Sequence, residues 1–223
     1  MSVTTSPSPE PSRSPTAHHR RAYLVWKRVV DLAAAGGGLF VLSPVMLLIA
    51  AAVRWTSSGP VLFRQTRIGR DFRPFHILKF RTMVADAPAT GAAITVGADP
   101  RITGLGRLLR RFKLDELPQL INVVQGDMSL VGPRPEVPRY VEMFPTDFQT
   151  ILTVRPGITD LASLRYRDEA ALLARASDPE QEYVTRVLPA KIELAKEYIT
   201  HSSLAYDLRL VLLTVFHVWL NRE

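Results

Sequence analysis

The chain has 223 residues, a formal net charge of +7 and no cysteine. That length buries one sizeable core, or one core plus a membrane element, and the missing cysteines exclude disulfides and any thiolate metal site. Charge is unevenly placed: residues 1–28 hold five Lys/Arg and one Glu, and two further basic clusters run from Arg64 to Arg81 and from Arg101 to Lys113. Anionic lipid, phosphate-bearing substrates and nucleic acid all suit such a pattern.

Residues 1–22 are rich in Ser, Pro and Thr without apolar periodicity, which predicts a disordered tail. They lack the apolar core of a signal peptide, and His18-His19 reads as incidental.

From Val29 to Val53 the chain is apolar, with Asp31 its only charge. A bilayer crossing needs about 20 such residues. Ser43-Pro44 falls inside the stretch, however, and Pro removes a backbone donor while disfavouring helix at the residue before it. The flanks are basic on both sides (Arg20, Arg21, Lys27 and Arg28 before; Arg54, Arg64 and Arg67 after), and the positive-inside rule puts such flanks on one side. Residues 23–56 are therefore expected to form a re-entrant helix-break-helix. A Pro-kinked single span is the competing reading. Residues 57–223 form the cytoplasmic remainder.

Val61–Phe63 and Phe75–Phe80 read as strands around a turn at Gly69, a β-hairpin. Arg64, Arg67, Lys79 and Arg81 can line one of its faces and approach phosphates, although a plain solvated face has the same pattern. Residues 84–100 lack a period and suggest a loop or lid. Leu105, Leu108, Leu109 and Phe112 then space as one helical stripe beside Arg107, Arg110 and Arg111, which suits a membrane surface or a core-facing helix equally.

The stretch Arg110 to Pro135, RRFKLDELPQLINVVQGDMSLVGPRP, is the most informative. Asp115 and Glu116 form an acidic pair after the basic cluster, and Pro118 belongs in a helix's first turn. Asp115 reads as the N-cap of a helix with Leu117, Leu120, Ile121 and Val124 on its apolar face. A carboxylate at a helix N-terminus, ringed by cations, suits phosphates and a divalent metal; an ordinary capped surface helix is the plainer alternative. Arg134 sits between two prolines in Gly132–Pro135, a turn of restricted geometry. Beyond it, Arg139–Ile151 and one or two segments within 189–221 read as helices. The terminal VLLTVFHVWL is too short to span a bilayer, so surface docking or core packing is expected. No GxxxxGK[ST], HExxH or Gly-x-Ser-x-Gly motif is present, and Gly104-Leu-Gly106 lacks the third Gly of a dinucleotide fingerprint.

KLDELPQLINVVQGDMSLVGPRP, together with GPVLFRQTRIG, FHILKFRTM, Lys27-Arg28, Asp31, Ser43-Pro44 and VRPGIT, resembles the bacterial sugar transferases called small monotopic phosphoglycosyl transferases. The resemblance runs from about Lys27 to Gly157 and, more weakly, to the C-terminus. It implies an α-rich α/β domain with the re-entrant element and a small β-hairpin, on the cytoplasmic face of the bacterial inner membrane. It also implies transfer of a sugar-1-phosphate from a UDP-sugar to undecaprenyl (polyprenyl) phosphate with release of UMP, in surface polysaccharide or glycoconjugate synthesis. On this likeness Asp115 is the nucleophile and a Mg²⁺ ligand, and Glu116 is a general base or supporting carboxylate. Lys79, Arg81, Arg110, Arg134 and Arg155 contact substrate, and Ser43 and Pro44 make the membrane break. The expected partners are the UDP-sugar, the polyprenyl phosphate and membrane lipid, with a homo-oligomer compatible and nucleic acid not expected. No four-span region precedes residue 29, which argues against the larger form of these enzymes. The sequence departs from the family after Thr159: Asp160 to Glu169 replaces the common Gly-Trp-Ala-Gln-Val-Asn-Gly-Arg, and Ala195 stands where many members carry Asp. That departure touches sugar identity more than reaction type. The rival from another class is a non-catalytic basic membrane adaptor or nucleic-acid-binding protein.

Overall fold

The computed structural model describes residues 17–84, 94, 96–97, 99–166 and 169–219. Its longest element is a 40-residue helix, α1 (Ala17–Thr56), and a separate hydrophobic core gathers Tyr140, Phe148, Leu173, Tyr183 and Leu188. The helix begins inside the expected tail, of which residues 1–16 lie outside the described residues. Its portion Ala22–Thr56 is long and apolar enough to cross a membrane.

The interruption expected at Ser43-Pro44 is absent: α1 continues through Pro44. Pro44 cannot donate to the carbonyl four residues back, that of Phe40. The Ser43 hydroxyl donates to that same carbonyl at 2.8 Å instead, so the orphaned acceptor is satisfied and the helix persists.

Both halves of α1 dock on the remainder of the chain. In the N-terminal half, the Asp31 carboxylate accepts from Ser129 Oγ at 2.8 Å and from the Leu130 N–H at 3.1 Å. Lys27 Nζ and the Tyr23 hydroxyl both donate to Asp207 Oδ2, at 2.7 and 3.0 Å. In the C-terminal half, Ile49 and Val53 are buried with Phe80 and Leu109. Between these two docking zones Ala35 is buried, but several larger apolar side chains stay bare; Phe40 is 83% exposed and Leu48 is 72% exposed.

The hairpin is present and longer than expected: β1 (Leu62–Ile68) pairs antiparallel with β2 (Pro74–Phe80), Leu62 opposite Phe80 and Ile68 opposite Pro74. α2 (Gly104–Arg111) is N-capped by Thr103, whose hydroxyl accepts from the Gly106 N–H. Leu105 and Leu109 pack toward Phe80 and α1 while Leu108 remains half exposed, so the core-facing reading of this helix holds. Gly106 is required here, because a Cβ would sit 2.1 Å from the Thr82 carbonyl oxygen.

α3 (Gln119–Gln125) lies against α1, and Arg28 of α1 donates to the Val123 and Val124 carbonyls at its C-terminal end, where a cation is favourable. The buried face of α3 carries Gln119, Asn122 and Val123; Val124, expected inside, is 42% exposed. A short parallel pair, β3 (Ser129–Val131) and β4 (Gly157–Thr159), had no signal in the sequence. The single helix expected over Arg139–Ile151 is split into α4 (Pro138–Met143) and α5 (Pro145–Ile151), because Pro145 starts a new helix in place of extending the first. Three short helices follow, α6 (Leu161–Arg165), α7 (Glu169–Leu173) and α8 (Pro179–Glu182), and the segment within 189–221 forms two helices, α9 (Leu188–His201) and α10 (Leu204–Trp219). α10 buries Leu210 and leaves Leu208, Leu212 and Val215 more than half exposed. Among the described residues the architecture is thus helix-rich with two small sheets. Most of the expected loop at 84–100 lies outside the described residues.

Candidate active site

Between α2 and α3 the chain makes a tight 3-10 turn, Leu114–Glu116, entered through Lys113 at φ 56°. That left-handed residue is uncommon for an L side chain, and it turns the acidic pair inward. Asp115 and Glu116 are only 6% and 8% exposed. Asp115 is therefore not the N-cap expected; α3 begins at Gln119, and Asp115 Oδ1 is buried without a hydrogen-bond partner among the described residues.

Three elements bring cations to this turn. β2 supplies Lys79, whose Nζ lies 2.7 Å from Glu116 Oε1. The Gly132–Pro135 turn supplies Arg134, whose Nη2 lies 3.1 Å from the same oxygen. α2 supplies Arg110, whose Nε donates to Thr82 Oγ1 at 2.9 Å and whose charge acts on Asp115. The Arg134 turn is itself pinned: Arg67 Nη1 donates to the Pro135 carbonyl at 2.9 Å, the Ile68 N–H to the Glu136 carbonyl at 3.0 Å, and the Tyr183 hydroxyl to the Glu136 carboxylate at 3.0 Å.

The two carboxyls are pushed in opposite directions. Burial raises the Asp115 carboxyl, the neighbouring Glu116 charge raises it further, and Lys79, Lys113 and Arg110 counteract only in part. Burial also acts to raise Glu116, but Lys79, Arg134 and Lys113 outweigh it and hold that carboxyl well below the usual range. Lys79 is lowered by burial against the pull of Glu116, whereas Arg134 is raised, chiefly by Glu116. A buried carboxylate hydrogen-bonded to two cations stays ionised, and it concentrates positive charge beside its unpaired neighbour. The arrangement can accept a polyanion and present one basic oxygen to it.

A divalent cation fits this donor set. Mg²⁺ takes one or two protein carboxylates and completes its sphere with phosphate oxygens and water; the unpartnered Asp115 Oδ1 supplies such a carboxylate oxygen. Among the described residues no group of three or more His, Asp or Glu is placed to hold a metal by itself, so the remaining ligands would come from substrate.

Not every residue singled out from the sequence converges here. Arg81 points away: its guanidinium donates to the Pro60 and Ser57 carbonyls and to Ser57 Oγ, tying β2 to the end of α1. Arg155 lies beyond the far end of α3, donating Nε to the Gly126 carbonyl at 2.8 Å, and its charged neighbours are Arg70, Arg28, Asp31 and Asp71. Within the hairpin, cross-strand pairing sets Arg67 and Lys79 on one face and Arg64 on the other. Ser43 and Pro44 sit mid-helix in α1. Asp160, at the start of the segment that departs from the family, N-caps a short helix and acts on the Arg134 charge; residues 167–168 of that segment lie outside the described residues. Ala195 packs in the hydrophobic cluster of α5 and α9, not in the site.

Sequence reasoning missed Gln119, whose Nε2 is also buried without a partner among the described residues, and Asn122, which bonds the Leu78 N–H and the His76 carbonyl and so fixes α3 on β2. The available signal was two amides at polar-in-apolar positions of one short helix.

Fold and site together define a helix-rich protein with one bilayer-length apolar helix and a buried, cation-ringed acidic pair. The chain belongs to the bacterial sugar transferase family, whose model matches residues 22–221. It is 38% identical over 200 residues to the UDP-glucose:undecaprenyl-phosphate glucose-1-phosphate transferase of Escherichia coli, covering 88% of this chain and 40% of that protein. A protein of the same name from Caulobacter vibrioides is 40% identical over 192 residues, 85% of this chain and 68% of the relative. The exopolysaccharide production protein PSS of Rhizobium leguminosarum is 37% identical over 202 residues, 86% of this chain and 94% of the relative. The chain thus spans about two-fifths of the Escherichia coli relative it matches.

Proposed function

We propose that the chain transfers a sugar-1-phosphate from a UDP-sugar to undecaprenyl phosphate, releasing UMP, through a phospho-sugar ester of Asp115. The observation that carries this reading is the buried Asp115 oxygen without a partner among the described residues, beside a Glu116 whose Oε1 is already paired with Lys79 and Arg134. The named activities of the relatives support the same reaction class.

In the first step an Asp115 oxygen attacks the phosphorus that bears the sugar. The bond from that phosphorus to the bridging oxygen breaks, and UMP leaves with the bonding electrons. In the second step a phosphate oxygen of the lipid attacks the same phosphorus, and the Asp115 carboxylate departs unchanged. The raised carboxyl of Asp115 makes it the more basic, more nucleophilic member of the pair. Lys79, Arg110 and Arg134 stabilise the charge that develops on the equatorial oxygens. Mg²⁺ bound at Asp115 and the diphosphate would neutralise the donor and the departing UMP. Glu116 orients the two cations through its ion pairs.

The membrane reading is re-entrant, on the cytoplasmic face of the inner membrane. It is supported by the docking of both halves of α1 on one body, with the residues around Pro44 bare between them. A straight crossing would carry the C-terminal half away from that body. The adaptor reading leaves the buried acidic pair without a use. The test is UMP release from a panel of UDP-sugars with undecaprenyl phosphate and Mg²⁺: release with at least one donor, abolished in Asp115→Asn, is expected, and no release with any donor would contradict the proposal.

A further inference from the structure

Away from Asp115, the N-terminal half of α1 forms one wall of a second, open cleft. Lys27 and Arg28 of α1, Arg70 of the β1–β2 turn and Arg155 of the segment before β4 all line it, with Leu24 beside them. The carboxylate on that lining, Asp31, is already occupied by Ser129 and Leu130. Lys27 is neutralised by Asp207, and Arg28 is spent on the end of α3. Arg70 and Arg155 are different. Arg70 is paired only with its exposed sequence neighbour Asp71, at 3.1 Å, and the terminal nitrogens of Arg155 have no partner among the described residues.

The fold works against charge repulsion to gather these groups. Burial, then Arg70 and Arg28, push the Arg155 guanidinium below its ordinary value. The turn presenting Arg70 is also strained: Asp71 and Phe72 are consecutive non-glycine residues at φ 58° and 59°, and for a bulky Phe that conformation is an outlier. It is held in place by the Asp71 N–H, which donates to the Leu152 carbonyl at 2.8 Å, next to the Thr153-Val154-Arg155 segment. None of this serves the acidic pair.

We propose that this cleft binds the phosphate of an anionic phospholipid headgroup, with Arg70 and Arg155 as its donors. The membrane-type helix argues for a lipid over a soluble phosphate. Leu24 sits on the rim, and the face of α1 turned away from the cleft carries Val25, Trp26 and Val29, each at least half exposed, a surface suited to acyl chains beside the headgroup. Such a lipid fixes the height of α1 in the leaflet. The inference is independent of the Asp115 chemistry and rests only on α1 meeting a bilayer.

The test is native mass spectrometry of the purified full chain in detergent with phosphatidylglycerol, phosphatidylcholine or inorganic phosphate. One phosphatidylglycerol retained per chain, in preference to phosphatidylcholine, is expected. Arg70→Ala should weaken retention about fivefold and Arg70→Glu on the order of 25-fold, the effect of one and two charges at a membrane surface. Arg54→Ala, on the exposed opposite flank of α1, should leave retention unchanged, as should Asp115→Asn, which separates this site from the catalytic reading. Arg155→Gln should lower retention with a parental far-UV spectrum. Equal retention by the parent and Arg70→Glu, equal binding of phosphatidylcholine, or displacement of the lipid by millimolar inorganic phosphate would overturn the proposal.

Discussion

Asp115 and Glu116 are consecutive residues of one turn, yet the protein holds their carboxyls in opposite electrostatic conditions. Glu116 accepts from Lys79 at 2.7 Å and from Arg134 at 3.1 Å, and these cations keep it ionised. Asp115 has a buried oxygen with no partner among the described residues and feels its neighbour's charge. One carboxylate organises the cations; the other is left reactive. This division explains why an adjacent pair is used although neighbouring side chains on a 3-10 turn point about 120° apart.

The division has a stability consequence with two signs. Glu116 is held well below the ordinary glutamate value, so it contributes stability present above that ordinary value and lost as pH falls through its lower folded value. Asp115 is raised above 3.8, so its contribution has the reverse sign: stability is greatest while it is protonated and is lost as pH rises through the raised value. Thermal unfolding in detergent without divalent cations should therefore show Asp115→Asn more stable than the parent near pH 7, by about 2–4 °C for each kcal/mol relieved. Glu116→Gln should be less stable at that pH and should lose less on acidification than the parent does. A lower Tm for Asp115→Asn at pH 7 would contradict the electrostatic assignment.

Asp31 fastens the membrane helix to the body through Ser129 and Leu130. Asp31→Ala leaves a buried hydroxyl and a backbone N–H without their acceptor. The expected cost is about 3 kcal/mol, read as a Tm drop in detergent with UMP release reduced in parallel. An unchanged Tm would show that the docking of α1 does not depend on this contact.

The re-entrant reading fixes a topology. Cysteines introduced singly at positions 5 and 100 of this cysteine-free chain should label from the same side of the membrane in intact cells. A proline can bend a helix that it does not interrupt, so replacing Ser43 and Pro44 together by Ala should straighten α1 and move a fraction of the chains to opposite-sided labelling. Opposite accessibility in the parent would establish a true span.

Gly157 and Gly132 let β3 and β4 approach backbone to backbone: a Cβ on Gly157 would lie 2.1 Å from the Gly132 nitrogen. Gly157→Ala should separate the pair and displace the Arg134 turn, with a loss on the order of 3 kcal/mol and of UMP release together. Parental stability in this variant, by urea unfolding, would refute the close approach.

What was legible in the sequence follows from how local each signal is. The hairpin and the basic helix are legible because short periodicity encodes them, whereas the motif likeness, not any spacing, is what joins Lys79 and Arg134 to the acidic pair. The parallel β3–β4 contact could not, since six residues in two distant segments carry no period. The break at Ser43-Pro44 was over-read: a proline rule overlooked that the preceding serine can satisfy the carbonyl that proline orphans. Arg81 and Arg155 were drawn toward the site by sequence proximity and motif likeness, whereas the fold spends Arg81 on the 57–60 connection and carries Arg155 past the end of α3. Gln119 was passed over as one polar residue in an apolar run.

The measurement closest to the central claim is intact mass spectrometry of the enzyme incubated with its UDP-sugar and Mg²⁺ but no lipid acceptor. A nucleophilic Asp115 predicts at most one UMP released per chain, one sugar-phosphate added to the protein, loss of that mass on adding undecaprenyl phosphate, and no adduct in Asp115→Asn. Normal turnover with both substrates but no adduct with the donor alone would mean direct displacement, and would reduce Asp115 to a metal ligand.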